Sequence, residues 1–215
     1  MPERPAIEAV VFDIGGVLVD WNPRHLYRKV FDDEEAMERF LDRICTSEWH
    51  DAHDRGASMA ESCARLADAH PDHASEIRAW ANRSEEMIGG VFEDTIEILR
   101  ELTGAGIACY ALSNMEAETF PLRFERFPFF GLFDGIVISG LEGMAKPDPE
   151  IFELLLDRFG LVPEATVFID DNIGNLRPAS DLGLATVHFE SPEGLRGSLG
   201  TLGLALGAPG NKEPG

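Results

Sequence analysis

Positive charge is scarce in this sequence. Its 215 residues include 18 Lys and Arg against 39 Asp and Glu, so the formal net charge is −21 and the isoelectric point is near 4.5. Such a negative surface repels nucleic acids and anionic membranes, and no basic run offsets it. We therefore expect neither as a partner, and a pocket for a small anion would need positive charge of its own.

Long hydrophobic runs are also lacking. No stretch approaches the roughly 18 apolar residues of a membrane span, and the first apolar run stops at Asp13, too soon for a signal-peptide core. Cysteines are few and odd in number, and Cys45, Cys63 and Cys109 lack the spacing of metal ligands. These absences predict a cytoplasmic protein whose cysteines are reduced core residues.

Five short segments are continuously apolar, which is typical of parallel strands that are buried on both faces. The segments are residues 9–12, 107–112, 135–138, 166–169 and 184–189. Segments with helical periodicity lie between them, at residues 93–102, 117–127, 149–159 and 172–182. Strands that alternate with helices predict an α/β fold with a doubly wound, Rossmann-like parallel sheet.

Residues 20–89 interrupt this alternation. They hold all three Trp, contain no strand-like run and have helical patterning at 34–44, 59–69 and 76–87. A long helical crossover is the alternative, but about 70 residues is far more than the roughly 10–12 that a crossover needs. We expect an α/β core formed by residues 1–19 and 90–206, an inserted all-helical cap domain at 20–89, and a disordered tail at 207–215.

Polar residues follow the apolar strands at the points where the strands end. They are Asp13, Ser113, Asn114, Asp170 and Asp171, while Lys146 lies in a Gly-Met-Ala-Lys-Pro loop after the third strand. The carboxyl ends of parallel strands form the ligand crevice of an open sheet, so we expect these groups to meet. Helix capping is the alternative role for the Ser-Asn and Asp-Asp pairs.

These groups suit metal-assisted phosphoryl transfer. The carboxylate of Asp13 can attack phosphorus and form an aspartyl-phosphate. Asp170 and Asp171 add hard oxygen ligands for Mg²⁺, which screens the repulsion between an anionic nucleophile and an anionic substrate. We therefore expect Mg²⁺ as cofactor and a small phosphorylated metabolite as substrate.

A transferring phosphoryl group also needs donors and positive charge around its oxygens. Glycines in the turn after the first strand let backbone N–H groups approach a phosphate, a serine hydroxyl can donate to it, and a lysine supplies the charge that the surface lacks. The expected phosphate-binding residues are Ile14, Gly15, Gly16, Ser113, Asn114 and Lys146. Of these, Ser113 and Lys146 join Asp13 in the expected catalytic set.

The sequence resembles the haloacid dehalogenase superfamily, and closely its small sugar-phosphate phosphatases, such as the α-D-glucose-1-phosphate phosphatase-like group. The matching motifs are VVFDIGGVLVDWNP at 10–23, LSN at 112–114, Lys146-Pro147 and VFIDDN at 167–172. They occur in the family's order and spacing and span nearly the whole chain. The resemblance implies an α/β core with a helical cap and a Mg²⁺-dependent hydrolase.

The resemblance also implies individual roles. Asp13 would be the nucleophile and a Mg²⁺ ligand, together with the backbone carbonyl of Gly15 and the carboxylate of Asp171. Asp170 would lie beside or within the metal shell, and Asn175 would orient a metal-bound water.

One position departs from the family's pattern. Most phosphatases of this superfamily carry a second Asp two residues after the nucleophile, as general acid and base, whereas Gly15 stands there in this sequence. A positioned acid is worth roughly 10²–10⁴-fold in rate. Some sugar-phosphate phosphatases of the family are similar in having Gly there, and a leaving group of low pKa needs less help. Asp20 and the histidines of the cap are the candidate substitutes.

The missing carboxyl leaves two rival interpretations open. Dehalogenases of the same superfamily also lack the second Asp and attack carbon without a metal. The adjacent Asp170 and Asp171 favour a phosphatase, because a metal-free site that holds an attacking carboxylate gains nothing from two further carboxylates. The other interpretation is a phospho-ligand binder that has lost turnover.

The predicted cap contains a cluster of aromatic and imidazole side chains. Trp49, His50 and His53 lie within ten residues that resemble, by position, the cap segment facing the active site in these enzymes. We expect them, with Trp21, to form the substrate pocket. His50 and His53 share one face of a helix, so metal binding by the pair is an alternative to a polar pocket wall, and Trp21 could stack on a sugar or act as a hinge.

Overall fold

The computed structural model describes residues 5–207, which form seven strands and eleven α-helices. The strands are β1 Ala9–Phe12, β2 Val19–Trp21, β3 Ile88–Val91, β4 Ala108–Ser113, β5 Gly135–Ile138, β6 Thr166–Asp170 and β7 Ala185–His188. The helices are α1 Pro23–Tyr27, α2 Glu34–Arg43, α3 Ser47–Asp54, α4 Met59–Ala69, α5 Ala74–Asn82, α6 Glu93–Gly104, α7 Phe120–Arg126, α8 Ser139–Glu142, α9 Pro149–Phe159, α10 Ile173–Asp181 and α11 Pro192–Thr201.

Five of the strands form one parallel sheet in the order β5-β4-β1-β6-β7. Both faces of the sheet are covered, and successive residues of each strand point to opposite faces. In β1, Val10 packs into the cluster that includes α6 and α11, whereas Val11 packs with α9 and α10. This two-sided burial explains the continuously apolar strands, and the predicted doubly wound α/β core is confirmed.

The helices α1 to α5 lie between β2 and β3 and form the helical cap. The cap has a hydrophobic core of its own, in which Tyr27 packs against Phe40 and Trp80 with ring centroids 5.1 and 5.9 Å away. Its helices are amphipathic, because their apolar residues recur at helical spacing and meet in this core. None of the helices within residues 5–207 is long and apolar enough to cross a membrane.

An antiparallel ribbon connects the cap to the core. Val19 of β2 pairs with Val91 of β3, and Trp21 pairs with Ile88. The expectation that residues 20–89 contain no strand is therefore wrong at both ends. Strands of three and four residues are too short for a visible period of two, and the two glycines in β3 weaken the β signal further.

Several predicted boundaries also move. The helix predicted at 117–127 begins at Phe120, where Pro121 occupies the first turn, and the helix predicted at 76–87 is α5 followed by a 3-10 turn, Ser84–Met87. Gly207, the first residue of the predicted disordered tail, donates to Glu101 at 2.7 Å, and residues 208–215 lie outside the described residues. The three cysteines are buried and free, as predicted.

Phe152 on α9 tests the packing of helix on sheet. Its side chain is fully buried and lies edge-on to Phe168 of β6, with ring centroids 5.2 Å apart. We expect Phe152→Ala to lower the free energy of unfolding by about 3–5 kcal/mol, because it leaves a cavity under the sheet. Urea unfolding measures this loss.

The neighbouring Glu153→Ala on the exposed face of α9 is the matched control. It should change the free energy of unfolding by no more than about 0.5 kcal/mol. If both variants behave like Glu153→Ala, Phe152 does not carry this interface.

Candidate active site

A pocket of about 370 Å³ opens at the carboxyl edge of the sheet, between the core and the cap. Most of the residues predicted for the site line it. Those residues are Asp13, Ile14, Gly15, Gly16, Trp21, His50, Ser113, Asn114, Lys146, Asp171 and Asn175. Asp170 lies directly beneath them and contacts Lys146.

Asp13 directly follows β1, the central strand of the sheet. Its backbone N–H donates to the carbonyl of Ile169 at 2.9 Å, which continues the pairing of β1 with β6 by one residue. The carboxylate oxygen Oδ1 accepts from the backbone N–H of Ile14 at 2.7 Å and from Lys146 Nζ at 2.9 Å. These two donors fix the carboxylate at the floor of the pocket.

The two glycines in the turn after Asp13 have different surroundings. Gly16 has φ +73°, a left-handed conformation that favours glycine, and a Cβ there would overlap the carboxylate of Asp171. At Gly15, by contrast, a Cβ would meet no atom within 4 Å. Gly16 thus lets the turn approach Asp171, while Gly15 borders open space in the site.

Lys146 is buried between two carboxylates. Its Nζ lies 2.9 Å from Asp13 Oδ1 and 2.7 Å from Asp170 Oδ2, with only 1% of the side chain exposed. Burial favours a lower pKa for Lys146, but Asp13 and Asp170 outweigh burial and raise the pKa above its usual value. The ammonium is therefore charged, as a buried cation between two anions must be.

Asn114 holds the backbone of the lysine loop. Its Oδ1 accepts from the backbone N–H of Lys146, and its Nδ2 donates to the Lys146 carbonyl, both at 2.9 Å. Both polar atoms of the side-chain amide are therefore used in bonds to this loop. The predicted phosphate-binding role of Asn114 remains a prediction and would fall to its backbone N–H. The hydroxyl of the neighbouring Ser113 donates a long hydrogen bond, 3.5 Å, to the carbonyl of Asn114.

Asp170 is surrounded by N–H donors. Its Oδ1 accepts from the Asn172 backbone at 2.8 Å, and Asn175 Nδ2 lies 3.1 Å from Oδ1 and 3.0 Å from Oδ2. The helix α10 is capped by Asn172, which accepts from the Gly174 N–H, so capping is not the role of either aspartate. Asp170 instead fixes the position of the Lys146 ammonium.

Three carboxylates surround one ammonium in this site. One oxygen each from Asp13, Asp170 and Asp171 lies within 4.8 Å of the others. When all three carboxylates are ionised, Lys146 compensates only one of their three negative charges. Burial raises the pKa of Asp13 to about 8; the positive charge of Lys146 opposes this shift, and the negative charge of Asp170 adds to it. Hard oxygen donors and excess negative charge fit a bound Mg²⁺, which favours the anionic carboxylates.

A second polar cluster forms the cap side of the pocket. Trp21 of β2 stacks on His50 of α3, with ring centroids 5.1 Å apart and planes 14° apart. His50 Nε2 lies 3.8 Å from Asp54 Oδ2, and its Nδ1 lies 4.0 Å from Glu116 Oε1. Glu116 in turn pairs with the buried Arg123 at 3.4 Å.

These buried groups have shifted pKa values. Burial lowers the pKa of His50 below its usual range, so its ring is neutral. Burial favours a higher pKa for Glu116, but the guanidinium of Arg123 helps to outweigh burial, and the pKa of Glu116 falls below its usual value. The result is a neutral imidazole beside an ionised, paired carboxylate.

Two of the four predicted pocket residues from the cap lie elsewhere. Trp49 and His53 do not line the pocket, because the Trp49 ring is packed edge-on against His53 and Trp80, with centroids 4.5 and 5.2 Å away. His53 is fully buried, and burial followed by the nearby His50 lowers its pKa to about 4. His50 and His53 lie close together on α3, with ring centroids 5.8 Å apart, but of the two only His50 lines the pocket.

The sequence interpretation missed three charged residues that line the pocket: Asp54, Glu116 and Arg123. Glu116 carried a usable signal, because it follows the Ser-Asn pair at the carboxyl end of β4 by two residues. Arg123 lies on α7 and Asp54 on the cap, and neither is near a strand end in the sequence.

The comparisons with known proteins agree with this geometry. Residues 7–183 match the family described as haloacid dehalogenase-like hydrolase. The chain is 33% identical, over 85% of its length and 89% of the relative, to the sesquiterpene phosphatase astK of Aspergillus oryzae. It is 27% identical, over 85% of its length and 84% of the relative, to the phosphorylated carbohydrates phosphatase of Thermotoga maritima.

A similar fold occurs among solved structures. A HAD family enzyme from Bacteroides thetaiotaomicron, in complex with magnesium and inorganic phosphate, has a TM-score of 0.64 and 24% identity, over 85% of this chain and 93% of that one. The family match covers most of the chain, and a relative exceeds 30% identity over nearly its whole length. The chain therefore belongs to the haloacid dehalogenase-like hydrolases and is an enzyme.

Proposed function

We propose that this enzyme is a Mg²⁺-dependent phosphomonoester hydrolase that acts on a small phosphorylated metabolite. The observation that carries the proposal is the convergence of Asp13, Asp170, Asp171 and Lys146 at one pocket floor. A metal-free attack on carbon would not need the excess negative charge of three carboxylates. The phosphatase names of the two curated relatives and the magnesium and phosphate in the Bacteroides enzyme support the same activity.

Asp13 is the nucleophile of the proposed reaction. One of its carboxylate oxygens bonds to phosphorus while the bond from phosphorus to the leaving oxygen breaks, which gives an aspartyl-phosphate and the alcohol. Water then attacks phosphorus, the bond to Asp13 breaks, and inorganic phosphate leaves. The backbone N–H groups of residues 14–16, the hydroxyl of Ser113 and the ammonium of Lys146 bind the phosphoryl oxygens through both steps.

Asp13, Asp171 and the carbonyl of Gly15 would hold the metal. When bound, Mg²⁺ offsets the negative charge of the nucleophile and the phosphate, which otherwise repel each other. We assign Asp170 to positioning rather than to direct ligation, because its two oxygens already accept from Lys146, Asn175 and the Asn172 backbone. Asn175, whose amide contacts both oxygens of Asp170, orients that carboxylate.

The alcohol portion of the substrate faces a mixed wall. Polar groups come from His50 and Glu116, whereas Val19, Ile88 and Phe130 contribute apolar surface. The polar groups suit a sugar phosphate, and the apolar surface suits a prenyl or aryl monophosphate. A phosphate-release screen over both classes, with and without Mg²⁺, identifies the class that the pocket takes.

Asp13→Asn tests the nucleophile. We expect this variant to lose phosphate release by at least about a thousandfold, because an amide oxygen does not form the aspartyl-phosphate. Asp42→Asn makes the same change at an exposed position on α2 and should keep full activity. Circular dichroism verifies that both variants are folded, and turnover by folded Asp13→Asn would remove the assignment.

Removal of the metal tests the cofactor. We expect chelation to abolish phosphate release and added Mg²⁺ to restore it. Mg²⁺ should also raise the melting temperature of the unmodified protein, because a ligand that binds only the folded state stabilises it. In Asp171→Asn this increase should be smaller or absent.

Halide release from 2-chloropropionate tests the rival chemistry in the same samples. We expect none. Chelator-insensitive halide release would identify a dehalogenase, whereas phosphate binding without either activity would identify a binding protein.

A further inference from the structure

The proposed phosphatase reaction needs a proton for its leaving oxygen. Gly15, which stands where related phosphatases carry a second Asp, has no side chain to supply one. A Cβ at this position would meet no atom within 4 Å, so a group that reaches in from another element has room beside the nucleophile.

Asp54 is a candidate for this group. It is the last residue of α3 on the cap, its exposed fraction is 6%, and it lines the same pocket as Asp13. Its Oδ1 is buried and has no hydrogen-bond partner among the residues that the structure describes. Its other oxygen, Oδ2, lies 3.8 Å from His50 Nε2. A buried carboxyl oxygen without a hydrogen-bond partner destabilises the fold, so its presence at the pocket wall points to a function.

The place of Asp54 on its helix also disfavours the charged form. The carboxyl-terminal end of a helix carries partial negative charge, and a carboxylate there is repelled. Burial, and after it the charges of Glu116 and Asp51, raise the pKa of Asp54 to about 7, against the opposing charges of Arg123 and Lys146. A group with this pKa exchanges a proton readily at neutral pH.

Contacts with the core hold this end of α3 over the site. Arg55 forms a bidentate ion pair with Asp148, which lies two residues after Lys146. In this pair, Arg55 Nη2 donates to Asp148 Oδ1 at 3.2 Å. Gly56 approaches α8 so closely that a Cβ there would lie 3.0 Å from the carbonyl of Gly140. The contacts of Arg55 and Gly56 with the core therefore fix the position of the preceding residue, Asp54.

The other candidate acids are less suitable. The carboxylate of Asp20 pairs with His25 at 2.9 Å, and neither residue lines the pocket. His53 also lies outside the pocket lining. His50 lines the pocket, but its ring is neutral because burial lowers its pKa, so it has no imidazolium proton to give.

We infer that Asp54 is the general acid and base of this enzyme and takes the role that Gly15 leaves unfilled. In the first step, the protonated carboxyl of Asp54 gives its proton to the leaving oxygen as the bond from that oxygen to phosphorus breaks. In the second step, the resulting carboxylate takes a proton from the attacking water, and Asp54 returns to its protonated form. The inference rests on the proposed phosphatase function.

Asp54→Asn, assayed on aryl phosphates with good and poor leaving groups, tests this role. We expect kcat/KM for phenyl phosphate to fall by about 10²–10⁴-fold, whereas that for 4-nitrophenyl phosphate changes little, because its leaving oxygen needs no proton. Glu48→Gln makes the same change from acid to amide on the exposed face of α3 and should leave both kcat/KM values unchanged. A uniform loss on both substrates, or none, would overturn the inference.

Restoring a carboxyl at position 15 provides a second test. Gly15→Asp has room for its side chain, and Gly15 does not have a positive φ. When Gly15→Asp is added to Asp54→Asn, kcat/KM for phenyl phosphate should rise at least about tenfold above that of Asp54→Asn alone. Failure of this recovery, together with a uniform loss in Asp54→Asn, would assign Asp54 a structural role.

The pH profile gives a third readout. The profile is measured at saturating Mg²⁺, which keeps the nucleophile Asp13 anionic. Because the acid must be protonated, kcat/KM for phenyl phosphate should then fall as the pH rises through about 7, the pKa of Asp54. The groups that face Asp54 are His50, Glu116, Asp51, Arg123 and Lys146. Asp54→Asn leaves all of them in place and should remove this alkaline limb.

Failure of the inference and failure of the proposed function give different results. If the protein is not a phosphatase, the unmodified enzyme releases no phosphate from either aryl ester. If it is a phosphatase with another proton donor, the unmodified enzyme is active and Asp54→Asn retains its activity on phenyl phosphate.

Discussion

The site depends on one buried ion pair network, in which the ammonium of Lys146 lies between Asp13 and Asp170. Each partner comes from a different segment, and the parallel sheet brings them together because its strands end at a common edge. The carboxylates repel one another, and Lys146 offsets only part of that repulsion. The site therefore keeps an excess of negative charge, which favours the binding of a divalent cation. The excess of negative charge at the site thus has the same sign as the net charge of the whole chain, which is −21.

The fold and the pocket floor could be predicted because both follow from local sequence. A strand buried on both faces must be continuously apolar, so β1, β5 and β6 are visible as short apolar segments. Asp13 and Asp170 are the first polar residues after two of these segments, and Asp171 follows directly. At these positions the chain leaves the sheet at the same edge, and spacing alone predicts that the groups meet.

The cap side of the pocket could not be predicted in the same way. A helical period identifies which face of α3 is buried, but not which residues of that face line the pocket and which are enclosed within the cap. His50 and His53 illustrate this limit, since one lines the pocket and the other is enclosed by aromatic rings. Arg123 and Asp54 are brought together only by the docking of the cap on the core, which no local pattern encodes. The ribbon of β2 and β3 is likewise too short to leave a period in the sequence.

The location of the proton donor has a consequence for the catalytic cycle. An acid two residues after the nucleophile is part of the core and is present whether or not the cap is docked. Asp54 instead belongs to the cap, and its approach to the site depends on contacts such as the exposed ion pair of Arg55 with Asp148. Exposed ion pairs are weak, typically about 0–1 kcal/mol, so this docking can be reversible. In the inferred mechanism, leaving-group protonation therefore requires the docked cap, so a substrate that stabilises docking is hydrolysed in preference to one that does not.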